Sequence, residues 1–125
     1  MTRDLELIKQ ILLHFENKSD WGYEKDLEID GFDKKQVAYN LQLMYESELI
    51  NGEAITSNTG RIYDVLPFRL TWKGHEFLDN IKDQSRWTKI KKTVTSKGGN
   101  FSMELIKKLA FKLAEEALFN GYTKL

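Results

Sequence analysis

Two runs rich in β-branched, aromatic and other apolar residues, 49–55 and 61–71, flank the polar connection Thr56-Ser57-Asn58-Thr59-Gly60. A five-residue link ending in Gly suits a β-hairpin, and every other periodic stretch of the chain reads as helix, so this one hairpin narrows the fold more than any other feature. Leu66, Phe68 and Leu70 alternate toward one face of the second strand. The only proline, Pro67, falls inside that strand. Having no N–H to give to a ladder, it predicts an edge position or a bulge there.

The helices follow from spacings of three and four. Residues 3–17 place Leu5, Ile8, Leu12 and Phe15 on one stripe widened by Ile11, with Thr2 as the expected N-cap. The period is lost over 18–32, where Ser19-Asp20-Trp21-Gly22 and Ile29-Asp30-Gly31 carry turn chemistry around one short extended piece, Leu27-Glu28-Ile29. Asp33 caps a second helix over 34–47 that turns Val37, Leu41 and Met44 inward with Ala38 and Tyr45, leaving Lys35, Tyr39, Gln42 and Glu46 outside. After the hairpin, Thr71 caps a helix from Trp72 with Phe77, Leu78 and Ile81 inward, and Asp83-Gln84-Ser85 interrupts it. Trp87, Ile90 and Val94 define the next helix, which Gly98-Gly99 ends. Ser102 caps a last helix over 103–119, stopped by Gly121, with two apolar stripes: Ile106, Leu109, Leu113 and Ala117, then Phe111, Ala114 and Leu118. The three tryptophans are expected in packing and not in ligand cages.

Helix, short strand, helix, hairpin, helix is the order of a winged helix-turn-helix-like domain of the α+β class, with 34–47 in the place of the recognition helix and 56–60 at the tip of the wing. The short helix that usually precedes a recognition helix has no counterpart in 18–32. The expected organisation is a winged-helix domain over 1–83 and a C-terminal helical extension over 84–125 that can serve as a dimerisation element. A chain of 125 residues, 41% hydrophobic and 30% charged, suits one domain with a genuine core.

Several stretches are similar to one family. The opening Thr2-Arg3-Asp4-Leu5-Glu6-Leu7-Ile8, the block Val37-Ala38-Tyr39-Asn40-Leu41, the ending Glu48-Leu49-Ile50, and Leu70-Thr71-Trp72-Lys73-Gly74-His75-Glu76-Phe77-Leu78 followed by Trp87 resemble small winged-helix proteins of unknown function often found in bacterial prophages. The resemblance continues through Lys97-Gly98-Gly99 and the C-terminal helix. It implies a bacterial or phage origin and a winged-helix fold, and brings no activity or site residue with it. The shorter Leu-Thr-x-x-Gly element is common in winged-helix regulators where the wing meets the next helix.

Nineteen basic residues balance nineteen acidic ones, which is not the footprint of a dedicated nucleic-acid binder. The charges are unevenly spread. Residues 1–70 hold eight Lys or Arg against thirteen Asp or Glu, a balance of −5, and 71–125 hold eleven against six, +5. Most of the excess lies in Lys82, Arg86, Lys89, Lys91, Lys92 and Lys97, which read first as a solvated helix face. With no cysteine, disulfides, thiolate metal sites and thiol nucleophiles are excluded. No apolar run approaches the ~20 residues of a membrane span, and an acidic N-terminus unlike a secretion signal points to the cytoplasm. His14 and His75 lie in different helices without metal-ligand spacing, and Gly98-Gly99 lacks the Lys-Ser or Lys-Thr of a phosphate loop. No enzymatic activity, cofactor, metal, small-molecule ligand or membrane role is expected.

Two binding functions remain. In the first the chain is a regulator of double-stranded DNA, with Lys34, Lys35, Gln36, Tyr39, Asn40 and Gln42 reading the duplex and Arg61 at the wing reaching a phosphate or the minor groove. In the second the scaffold is an accessory factor that binds another protein. In either, Leu105, Ile106, Leu109, Phe111, Leu113 and Leu118 of the last helix would join a second copy or a partner.

Overall fold

The protein, seen in a computed structural model, is described over residues 1–120. These form α1 (Leu5–Glu16), α2 (Lys34–Glu46), β1 (Ile50–Thr56), β2 (Ile62–Leu70), α3 (Trp72–Ile81), α4 (Gln84–Ser96) and α5 (Met103–Phe119). The result is a mixed α+β arrangement of five helices and one two-stranded antiparallel hairpin, a layout compatible with a winged helix. Two compact units divide the chain, Met1–His75 and Glu76–Leu125. The boundary expected at 83/84 falls at the break between α3 and α4, whereas the units part within α3.

In the first unit Leu7, Ile8, Ile11 and Leu12 of α1 are buried, and α1 packs on α2 and β2. Its cap is Asp4 and not Thr2: Asp4 Oδ1 accepts the Leu7 N–H at 3.0 Å. Asp4 is held in that position by tertiary contacts, since its N–H donates to Asn40 Oδ1 at 2.9 Å and its other oxygen accepts from Gln36 Nε2 at 3.3 Å. The cap at Asp33 is as expected, with Oδ1 accepting the Gln36 N–H at 2.9 Å, and Val37, Leu41 and Met44 are buried. Ala38, expected inward, is exposed. The strand expected at Leu27-Glu28-Ile29 does not form. Left-handed backbone at Asp26 (φ 54°) and Gly31 (φ 87°) bends the chain at both ends of a piece too short for a ladder.

The hairpin forms with two slips of register. Asn51 pairs with Arg69 and Gly52 with Pro67, so Phe68 is an extra residue on β2 beside the proline, the bulge that a missing donor favours. A bulge reverses the alternation beyond it. Val65 and Pro67 are therefore buried before it in place of the expected Leu66 and Phe68, while Leu70 after it is buried as expected. A second slip leaves Tyr63 unpaired opposite Ile55 and Thr56.

The Leu-Thr-x-x-Gly element acquires a physical meaning where α3 begins. Thr71 Oγ1 accepts the Gly74 N–H at 3.0 Å as an N-cap and donates to the Glu48 carbonyl at 2.5 Å, while the Thr71 N–H donates to the Leu49 carbonyl at 3.1 Å. Gly74 lies so close to Leu49 that a Cβ would stand 3.1 Å from its carbonyl carbon and inside van der Waals contact with its oxygen. Only glycine permits that approach.

In the second unit Asp83 Oδ1 caps α4 through the Arg86 N–H at 2.8 Å, and Trp87, Ile90 and Val94 are buried. Ser102 Oγ caps α5 through the Leu105 N–H at 3.2 Å. Helices α4 and α5 pack together, with Ile106 and Ala110 buried. The stop expected at Gly121 lies outside the described residues; α5 ends at Phe119 with Asn120 following.

Candidate functional site

The residues expected to read a duplex are separated by their environments. Lys34, Lys35 and Arg61 are exposed, Tyr39 is half-buried, and Ala38 adds to the open strip between them on α2. Three others are engaged within the fold. Asn40 has no exposed surface; beyond its bond from Asp4, its Nδ2 donates to the carbonyls of Gln36 (3.0 Å) and Thr2 (3.3 Å). It is a clamp between α2 and the N-terminal segment, which corrects its assignment as a reader. The reason is polar satisfaction, because a buried amide must find partners for both its donor and its acceptor. Gln36 reaches Asp4, and Gln42 Nε2 donates to the Ile62 carbonyl at 3.2 Å, tying α2 to the start of β2.

The electrostatics beside α2 are mixed. A cleft of about 220 Å³ against β2 sets Glu24, Asp26 and Asp64 beside Lys34 and Lys35. Lys34 Nζ lies 3.7 Å from Glu28, and both side chains are largely exposed, a pair of little energetic weight. At the wing the chain closes tightly, with the Ser57 N–H donating to the Arg61 carbonyl at 2.8 Å.

Positive charge is concentrated on α4 instead, where Glu116 of α5 is the acid that shares a cleft with Ser85, Arg86 and Lys89. Ser85, Lys89, Lys92 and Ser96 follow one another at steps of four, three and four and are all exposed, opposite the buried Trp87, Ile90 and Val94. No acidic residue occurs from Gln84 to Lys97. Two neighbouring cations have structural work. The Arg86 guanidinium donates to the carbonyls of Asn80 and Asp79, both at 3.2 Å, closing the C-terminal end of α3, and Lys91 Nζ lies 5.6 Å from the Trp87 ring centroid. Lys89, Lys92 and Lys97 enter no ion pair among the described residues. The cap lowers the pKa of Asp83 below its ordinary value, chiefly through the Arg86 backbone N–H and then the Arg86 charge.

A second feature was not visible in the sequence. Trp21 and Tyr23 lie against Phe68, with ring centroids 6.1 and 5.4 Å apart, and Trp21 is 80% exposed. The loop is fastened beneath them. Lys18 Nζ, nearly buried, donates to the carbonyls of Gly22 and Phe68, the Glu24 N–H donates to the Pro67 carbonyl at 2.9 Å, and the Glu24 carboxylate holds His14 Nε2 at 2.7 Å. Trp72 is also exposed, so of the tryptophans expected in packing only Trp87 is buried. The run Trp21-Gly22-Tyr23 in a polar loop was the available signal, but its partner Phe68 faces it only because of the bulge.

On α5, Leu105, Phe111 and Leu118 are exposed, Leu109 and Leu113 are half-buried, and Ile106 is buried. Ile106 belongs to the packing of its own unit and is withdrawn from any interface. Among the described residues no cluster of three or more His, Asp or Glu could hold a metal ion, and no helix is long and apolar enough to cross a membrane.

No solved structure matches the chain significantly. An uncharacterised protein of Haemophilus influenzae is 34% identical over 119 residues, covering 94% of this chain and 99% of that protein. With a family match over residues 2–100 as well, the chain belongs to the family described as "Hypothetical protein (DUF2513)".

Proposed function

We propose that the protein is a cytoplasmic, non-enzymatic winged-helix regulator of phage or mobile-element type that binds double-stranded DNA, with its phosphate contacts made by α4 and not by the second helix. The observation that carries this reading is the acid-free stripe Ser85, Lys89, Lys92 and Ser96, continued by Lys97. Lysines and hydroxyls are the groups that hold phosphate oxygens, and such contacts supply most sequence-independent affinity. On α2, Lys35 and Tyr39 remain for base edges, and Lys34 is weakly paired with Glu28. The acids of the neighbouring cleft keep that helix from holding a duplex by charge alone.

The test is fluorescence anisotropy of a labelled random duplex across a salt series. With Lys89, Lys92 and Lys97 each neutralising one phosphate, the slope of log affinity against log salt is about −2.7, a loss of roughly 40-fold between about 50 and about 200 mM. Lys89→Glu with Lys92→Glu abolishes binding, whereas Lys34→Glu with Lys35→Glu weakens it less. Absence of binding at low salt, or binding by the α4 variant equal to wild type, overturns the reading.

The second reading, an accessory factor that binds another protein, draws on the exposed rings of Trp21 and Tyr23 against Phe68, with the Arg69 guanidinium 5.9 Å from the Phe68 centroid. Trp, Tyr and Arg dominate interface hot spots. It takes precedence where duplex binding is absent and Trp21→Ala abolishes an association that Lys89→Glu leaves intact.

A further inference from the structure

We infer that α5 pairs antiparallel with α5 of a second copy, along the stripe of Phe111, Ala114 and Leu118, with Lys108 of each copy facing the partner's Glu115. Phe111 is 59% and Leu118 73% exposed, and at seven residues apart they share one helix face across two turns, with Ala114 between them. The face packed on α4 is a different one, marked by Ile106 and Ala110. The unit thus leaves uncovered an apolar strip of the kind that marks an association surface.

Charge selects the occupant and its direction. At 100° per residue, Lys108 and Glu115 both lie on the same flank of the Phe111 line, 60° and 40° from it. Both are exposed, and neither enters an ion pair among the described residues. The opposite flank carries Ala110, Ala114 and Ala117 together with Lys107, whose charge is paired with Glu104 of its own helix at 3.5 Å. Lys108 and Glu115 are centred beside Phe111, so a two-fold axis there sets Lys108 against the partner's Glu115 and repeats the contact in reverse, with the two Phe111 rings meeting at the axis. A parallel pair would bring this flank against the partner's opposite one, setting Lys108 and Glu115 beside alanines and Lys107, with no opposite charge for Lys108. A helix with charges of opposite sign on one flank, three residues before and four after its most exposed aromatic residue, is complementary to its own reverse copy, which a generic partner helix is not.

The inference does not depend on DNA binding and is tested without it, by sedimentation equilibrium of the full chain across a concentration series. Wild type forms a reversible dimer. Phe111→Asp is monomeric with the helix content of wild type by circular dichroism. Lys108→Glu and Glu115→Lys, each of which creates two like-charge contacts, weaken association roughly tenfold, and the double exchange restores it. A wild-type monomer throughout the series overturns the inference. So do single reversals without effect, or a double exchange no better than either single.

Discussion

The glycine at the start of α3 offers the sharpest test of how this fold is held. Gly74 is buried against the Leu49 carbonyl, and an added methyl would contact the oxygen, the carbonyl carbon at 3.1 Å and Leu70 Cβ at 3.4 Å. The obstacle is backbone, so α3 must move away, and its movement draws on the three hydrogen bonds of Thr71 to Glu48, Leu49 and Gly74. Overpacking of this kind costs about 1–3 kcal/mol, a weakened cap adds about 1 kcal/mol, and the helix preference of Ala over Gly offsets at most about 1 kcal/mol. Gly74→Ala should therefore lose about 1–3 kcal/mol, read as a lower urea midpoint at unchanged slope. His75→Ala, exposed in the same turn, should stay within about 0.5 kcal/mol. A Gly74→Ala midpoint equal to or above wild type would refute the close-approach argument, because helix propensity alone predicts stabilisation.

Two further outcomes follow from side chains with defined partners. Asn40→Ala strands the Asp4 N–H and leaves a cavity between α2 and the N-terminal segment, so chemical denaturation should show a loss of about 2–4 kcal/mol; loss of DNA preference at unchanged stability would restore Asn40 as a reader. Asp83 has a pKa lowered from 3.8 by its capping bond, so the ionised cap stabilises the folded state above that value and its contribution is lost as pH falls through the lower, folded-state pKa. The thermal midpoint of wild type should then exceed that of Asp83→Asn near neutrality and approach it in acid, and a gap independent of pH would count against the cap as the cause.

The tertiary outcome departed from local reading at identifiable residues. Thr2 and Asp4 are both competent caps by residue type, and the choice fell to Asp4 because Asn40 and Gln36, more than thirty residues away, hold it in place. The alternation at Leu66, Phe68 and Leu70 was a sound pattern for an unbroken strand. Pro67 signalled a bulge without saying on which side of the proline the extra residue would fall, and that single displacement decided which residues are buried. Asn40 could not be told from a surface asparagine, since spacing places a residue on a face but not the partners waiting there.

Periodicity and cap chemistry determined the order of the helices and the hairpin, the inward stripes of α3 and α4 and most of that of α1, the caps at Asp33, Thr71 and Ser102, and the uneven charge, because these depend on neighbours a few residues apart; of the stripe expected on α5 only Ile106 is buried, and Ala117 is exposed. What tertiary structure alone decided was which polar groups are consumed by the fold and which remain for a partner. Asn40 and Gln42 satisfy distant backbone groups and Arg86 the end of the preceding helix, while Lys89 and Lys92 keep their charge open to solvent. A buried donor or acceptor must be satisfied wherever the chain happens to bring a partner, and that meeting is a property of the assembled fold.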